Sequence, residues 1–337
     1  MTSRAFAAAM VALFAAVALL FSAMPETMAQ QVTPTASSVQ EDELLRALQT
    51  GENVSGRVSI PDRQAGELIK PDNKGWADLS QGTLQTFAVG ILVVALIGLA
   101  LFYFIRGRIA LEGGFSGRSI LRFGWFERLA HWMLASTFIV LALTGLNLVI
   151  GRAVILPIVG ENAFGTLSSW GKIAHNYLAW PFMISLAIVF VLWIVHNIPG
   201  RIDLEWIKQG GGFMKKGVHP PAKKFNAGQK IVFWCVVLGG AAMSYTGVML
   251  LFPHLAGTGA DWQFYQVVHA VVAGLLSAVI LGHIYIGTLG MEGAFDAMGK
   301  GEVDENWAEQ HHSLWAREVK SAAVSPAKSD EAIAPAE

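Results

Sequence analysis

Charged side chains divide this chain into long stretches that carry none. Residues 79–105 lie between Asp78 and Arg106, residues 129–151 between Arg128 and Arg152, and residues 173–200 between Lys172 and Arg201. Residues 231–260 lie between Lys230 and Asp261, and residues 262–291 between Asp261 and Glu292. Each exceeds the roughly 20 residues a helix needs to cross the hydrocarbon core of a bilayer. The pattern predicts five spanning helices: a four-helix bundle over residues 129–291 and one additional N-terminal span over residues 81–105, joined by a loop at 106–128. An earlier apolar run, Ala5 to Phe21, is short for a span. It follows Arg4 and leads to small residues ending at Ala29, so residues 1–29 read as a secretory signal peptide. Residues 30–80 are polar and too poor in apolar side chains for a core, and read as an extended exported segment. The tail, residues 292–337, is polar, and its end, "SAAVSPAKSDEAIAPAE", reads as disordered.

Composition agrees. Only 15% of the 337 residues are charged and 53% are apolar, where soluble domains carry about 25% charge. The fold class expected is an all-α integral membrane protein. A net charge of -1 gives no general attraction to nucleic acid, so charge informs only through its distribution. The loop 106–128 holds Arg106, Arg108, Arg118, Arg122 and Arg128, and the loop 201–230 is rich in lysine, whereas 152–172 holds only Arg152 and Lys172. Basic loops stay in the cytoplasm. A bacterial inner-membrane protein with a periplasmic mature N-terminus and a cytoplasmic C-terminus is expected, and the signal peptide gives the same orientation independently.

One cysteine, Cys235, excludes an intrachain disulfide and a thiolate-held iron–sulfur cluster, and reads as a small buried residue. C-x-x-C-H is absent, which excludes covalent haem attachment, and no nucleotide-binding glycine motif stands in a strand–helix setting.

Histidine carries the chemistry. His269 and His283 share one uncharged segment and are fourteen residues apart, roughly 21 Å along a helix and nearly on one face. His131 begins its span from the cytoplasmic side and His175 begins its span from the outside. The depths therefore pair His131 with His283 on the inner side and His175 with His269 on the outer side. Two irons, each held between two imidazoles, account for all four, and two noncovalent b haems fit an apolar bundle interior. The two layers are too far apart to share a single zinc or copper ion. Gly145, Gly274, Gly282 and the "GGAA" at 239–242 are expected to allow close approach near the ligands. Among the other histidines, His196 reads as an interfacial helix end, and His219 and His254 as solvated loop residues. His311 and His312 fall in the tail, where a structural contact and chemistry are equally open. A proton-relaying transporter is a competing class, but the spans carry no repeat or broken-helix pattern of that kind. A membrane anchor without redox function leaves the matched depths unexplained.

The segments "FERLAHW", "KIAHNYLAW", "HNIPG", "KKFNAGQK", "VVHAVVAG", "GHIYIG" and "GEVDENWAEQHHSLW" occur in this order over residues 118–318. In this the chain resembles the cytochrome b (gamma) subunit of membrane-bound formate dehydrogenase, in a long form with a signal sequence and an extra first span. The resemblance implies two b haems, with His131 and His283 on the cytoplasmic-side iron and His175 and His269 on the periplasmic-side iron, as depth alone suggests. It implies a quinone site at Asn226, Gly228 and Gln229. It further implies partners: an iron–sulfur (beta) subunit and a molybdenum or tungsten catalytic (alpha) subunit that oxidises formate. Electrons would pass from them through the haems to quinone. A cytochrome b serving a nickel–iron hydrogenase or a thiosulfate or polysulfide reductase shares this architecture and remains the alternative.

Overall fold

The computed structural model describes residue 76 and residues 79–213 and 217–324. The expected signal peptide and nearly all of the exported segment fall outside these residues, as does the end of the tail from residue 325. Five described helices are long and apolar enough to cross a membrane. They are α1 (Leu84–Arg106), α2 (Trp125–Val154), α3 (Glu161–Trp193, prolonged by a tight turn at Ile194–Asn197) and, after the short amphipathic α4 (Arg201–Lys208), α5 (Ala227–Leu251) and α6 (Gly259–Tyr285, prolonged by a wide turn at Ile286–Gly290). Apolar side chains ring these helices on every side, and Val94, Phe104, Leu143, Val191 and Leu238 stand exposed. Such a surface suits lipid, where a helix satisfies its own backbone polar groups.

The helices begin at local caps. Glu127 accepts from the Gly124 N–H at 2.8 Å, Asp203 from the Gly200 N–H at 2.6 Å, and Asp261 from the Thr258 N–H at 2.9 Å. The helices outrun the charge-free stretches. α2 starts at Trp125 rather than at residue 129, and α3 starts at Glu161 rather than at 173, so Lys172 lies inside a helix. Charges mark where lipid ends, whereas a helix continues until its backbone is capped.

α2 packs along α3, α5 along α6, and α3 touches α5. The additional span α1 lies against α6, where a Cβ on Gly274 would meet Phe87 at 3.2 Å. Gly274 therefore serves this contact and not a histidine. At one end the bundle carries a folded cap. Strand β1 (Ser119–Leu121) pairs antiparallel with β2 (Glu302–Asp304), with Ile120 opposite Val303. Two further helices, α7 (Glu305–His311) and α8 (Ser313–Val324), follow. Val303, Trp307, Ala308, Trp315 and Ala316 are buried in one core with Phe123, Trp193 and Phe225. The polar tail from residue 292 is thus, through Val324, a structural part of the protein, and of its end read as disordered Ser321–Val324 belong to α8. Its apolar residues are few but meet two loops at once. The Leu314 N–H donates to the Ala222 carbonyl at 3.1 Å, and Arg122 donates to the Lys224 carbonyl at 2.6 Å.

Candidate functional site

The four intramembrane histidines stand in two facing pairs. His131, on the second turn of α2, faces His283 near the end of α6 with ring centres 6.2 Å apart. His175 of α3 faces His269 of α6 at 6.3 Å. Two imidazoles bound to opposite sides of one metal ion at about 2 Å each have ring centres roughly 6 Å apart once the ring radii are added. The helices that carry the pairs, α2 with α6 and α3 with α6, approach one another only sparsely. Imidazoles, and not packed backbones, span the space between the two hairpins. Among the described residues no cluster of three or more His, Cys, Asp or Glu could hold a metal ion by itself. A lone pair of imidazoles suits a group that brings its other ligands with it, as a porphyrin does.

The outer pair has its ring orientation fixed by threonine. Thr144 Oγ1 lies 2.9 Å from His175 Nδ1 and donates its own proton to the Val140 carbonyl at 2.7 Å. Thr246 Oγ1 lies 2.8 Å from His269 Nδ1 and donates to the Ala242 carbonyl at 2.7 Å. A hydroxyl has one proton. With it committed to the backbone, the oxygen accepts from Nδ1–H, and the Nε2 lone pair is left for a metal. Each threonine is followed by a glycine at the same ring: a Cβ on Gly145 would stand 3.3 Å from His175 Cε1, and one on Gly247 3.4 Å from His269 Cε1. Of the glycines expected near the ligands, Gly145 stands against a histidine ring, while Gly239 packs on Leu276 and Gly240 on Leu186. Gly247 and both threonines were missed. The repeated Thr-Gly dipeptide, one helix before each outer histidine, was the available signal. On the inner side His131 Nδ1 is buried without a hydrogen-bond partner.

An aromatic row leads from the inner pair toward the cap. The His131 ring lies 6.4 Å from Trp193, and Trp193 lies 5.5 Å from Phe225. The next residue is Asn226, the first of the expected quinone ligands. Asn226 caps α5: its Oδ1 accepts from the Gln229 N–H at 2.9 Å, and Gln229 Oε1 accepts from the Asn226 N–H at 3.1 Å. Both side-chain carbonyls are therefore engaged, and the two amide NH2 groups are the donors that remain. Gly228 sits beneath Trp206, whose ring a Cβ would meet at 3.0 Å.

The remaining histidines separate clearly. His196 is exposed at the helix end, and His254 is exposed in the α5–α6 connection. His219 is exposed in its loop, as expected, and pairs there with Glu112 at 3.0 Å. His312 is fully buried: its Nδ1 donates to the Lys223 carbonyl at 2.7 Å, and its Nε2 meets Arg122 Nη2 at 3.0 Å. Arg122 is buried as well, within 5.1 Å of the Trp307 and Trp315 rings. Cys235 is partly exposed, on an apolar groove of about 910 Å³ between α4, α5 and α6, which corrects its reading as a buried filler.

Comparison with known proteins places these features among relatives. Residues 122–301 match the family model of prokaryotic cytochrome b561. The cytochrome b556(Fdn) subunit of the nitrate-inducible formate dehydrogenase of Escherichia coli is 29% identical over 209 residues, 61% of this chain and 94% of that protein. The cytochrome b556(fdo) subunit of formate dehydrogenase of Escherichia coli is 29% identical, over 60% of this chain and 94% of its own length. The formate dehydrogenase cytochrome b556 subunit of Haemophilus influenzae is 27% identical, over 59% and 83%. The family match spans more than half of the chain and takes in all four paired histidines, and the chain belongs to the prokaryotic cytochrome b561 family.

Proposed function

We propose that this protein is the multi-pass membrane cytochrome b subunit of a formate dehydrogenase, and that it carries electrons through two b haems to a quinone. The facing histidine pairs at two levels of one bundle carry the proposal, and the similarity to formate dehydrogenase cytochromes b556 selects the complex. A haem b at each level supplies a one-electron centre. His175 and His269 would hold the outer one, and His131 and His283 the inner one. Thr144 and Thr246 keep the outer imidazoles in the tautomer that presents Nε2. Asn226 and Gln229 would donate their amide N–H groups to a quinone oxygen, while Gly228, expected to admit the ring, instead makes room for Trp206. Trp193 and Phe225 link that site to His131 across a short apolar distance.

The basic loops support a cytoplasmic side for the cap. The outer pair then faces the periplasm, where an iron–sulfur subunit and a molybdenum or tungsten subunit would dock in the inner membrane of a bacterium. Electrons crossing inward, with protons taken up at the inner side, would separate charge across the membrane.

Pyridine haemochrome analysis of the purified chain tests the core of this reading. About two noncovalent haems per chain are expected. His175→Ala and His269→Ala should lose one spectral component, and His131→Ala and His283→Ala the other. Loss of the same component from His175→Ala and His131→Ala would break the pairing, and a single haem per chain would end the assignment.

A further inference from the structure

Reduction of a quinone to its quinol takes two electrons and two protons, and an O–H bond forms at each oxygen. Asn226 is only partly exposed, so protons need a route to it. A cavity of about 20 Å³ lies where the cap meets the start of α5, room for about one water molecule. Asn226 lines it, and Arg106, Glu112, His219, Gln310 and His311 supply the rest of its polar wall.

We propose that Glu112, His219 and His311 form the proton inlet of the quinone site, taking protons from the cap surface and delivering them to the quinone oxygen held at Asn226. The inference rests on the quinone-reducing reading of that site. At the outer end, the side chains of His219 and Glu112 are 33% and 47% exposed, and His219 Nε2 lies 3.0 Å from Glu112 Oε2. The Gly217 N–H holds the second carboxylate oxygen at 2.7 Å. The His219 hydrogen bond, then that of Gly217, keeps the Glu112 carboxyl below its usual range, so a carboxylate stands at the solvent-facing end of the route. At the inner end, His311 is partly buried with its ring 5.2 Å from Trp307. Gln310 joins the two ends. Its Oε1 accepts from the Glu112 N–H at 3.0 Å, and its Nε2 lies 3.4 Å from His311 Nε2.

The charged groups facing His311 are His219, Arg122 and Glu112, and Arg106 shares the cavity. Burial, with His219 and Arg122 adding to it and Glu112 opposing, pushes His311 down to about 4. An imidazole so placed is neutral at rest and releases a proton readily once it has one. Negative charge building on a quinone oxygen favours its protonation at the moment a donor is needed. In each delivery an N–H bond of His311 breaks as the quinone O–H forms, and His311 regains a proton from solvent through His219 and Glu112. The electrons are those of the haem relay proposed above.

The test uses the haem-loaded chain in detergent, reduced chemically and mixed with a short-chain naphthoquinone. His311→Phe keeps a ring on Trp307, and Glu112→Gln keeps the shape of an exposed residue. Haem reoxidation should slow at least about 10-fold in both, the lower end of what a lost general acid costs being greater still. The solvent deuterium isotope effect should rise. Calorimetric affinity for a quinone-analogue inhibitor, and the haem spectrum, should stay as in the parent. Parental rates and isotope effects in both variants would overturn the inlet. Failure of the underlying reading looks different: Asn226→Asp, which preserves the cap but alters the donor, would then bind the inhibitor as the parent does.

Discussion

Thr144 and Thr246 do more for the outer histidines than fill space. Each accepts an Nδ1–H, and such a bond orients a metal-bound imidazole and raises its basicity. Thr144→Val keeps the shape and removes the oxygen. The buried N–H it strands costs about 1–3 kcal/mol, and iron loses electron density from its ligand. The midpoint potential of the outer haem should become more positive while the inner one holds, as read by a redox titration of the b absorbance. Equal shifts in both would show that Thr144 acts through the fold and not through His175. The histidines themselves were legible in the sequence, because an ionisable group in an uncharged span is rare and depth follows from counting. The threonines were not, since a threonine in an apolar helix commonly satisfies itself on its own backbone. Only the facing helix shows that these two have a second partner.

At the scale of elements, α4 and the start of α5 are joined by a buried ion pair. Lys230 Nζ lies 2.8 Å from Asp203 Oδ2 and also donates to the Ile198 carbonyl at 3.1 Å. Asp203→Ala strands the ammonium and removes the cap at Gly200, so a loss of about 3–5 kcal/mol is expected. The exposed pair Lys300–Asp296 is the control, and Asp296→Ala should change stability by at most about 1 kcal/mol. Thermal unfolding followed by haem release compares them, and equal midpoints would contradict the assignment of Asp203 as a buried anchor. Helix number could be counted from charge-free stretches, but helix ends could not. Glu161 and Lys172 belong to α3 although both are charged, because a helix that leaves the hydrocarbon can carry charge in its extra turns.

For the whole molecule, the cap is the feature the sequence concealed. β1 and β2 have three residues each and no local signature, and their pairing spans nearly the length of the bundle. The cap also sets a pH dependence. Burial first, with neighbouring cations adding to it, pushes His311 down to about 4 and His312 well below its ordinary value of 6.5. The unfolded cap therefore binds protons that the folded cap refuses. Its stability is fully present above about 6.5 and declines as pH falls toward 4, by about 3 kcal/mol for His311 alone. Protection factors at Trp307 and Ala308, corrected for the intrinsic exchange rate at each pH, should be high at neutral pH and fall below 6, with those of the bundle amides unaffected. Protection that rose on acidification would reverse the sign and reject the account.

The pairing of β1 with β2 also has a consequence in time. Ser119 hydrogen-bonds Glu302 at a separation of 183 residues, so the first partner leaves the ribosome long before the second exists. Until translation has passed residue 312, Arg122 has no His312, and the segment leading to Asn226 lacks the groups that pin it. A chain interrupted after α6 would hold the five described spans and all four paired histidines, yet it could not close this end of the bundle. The stretch made after α6 is thus the latch that separates a closed bundle from a membrane-inserted fragment.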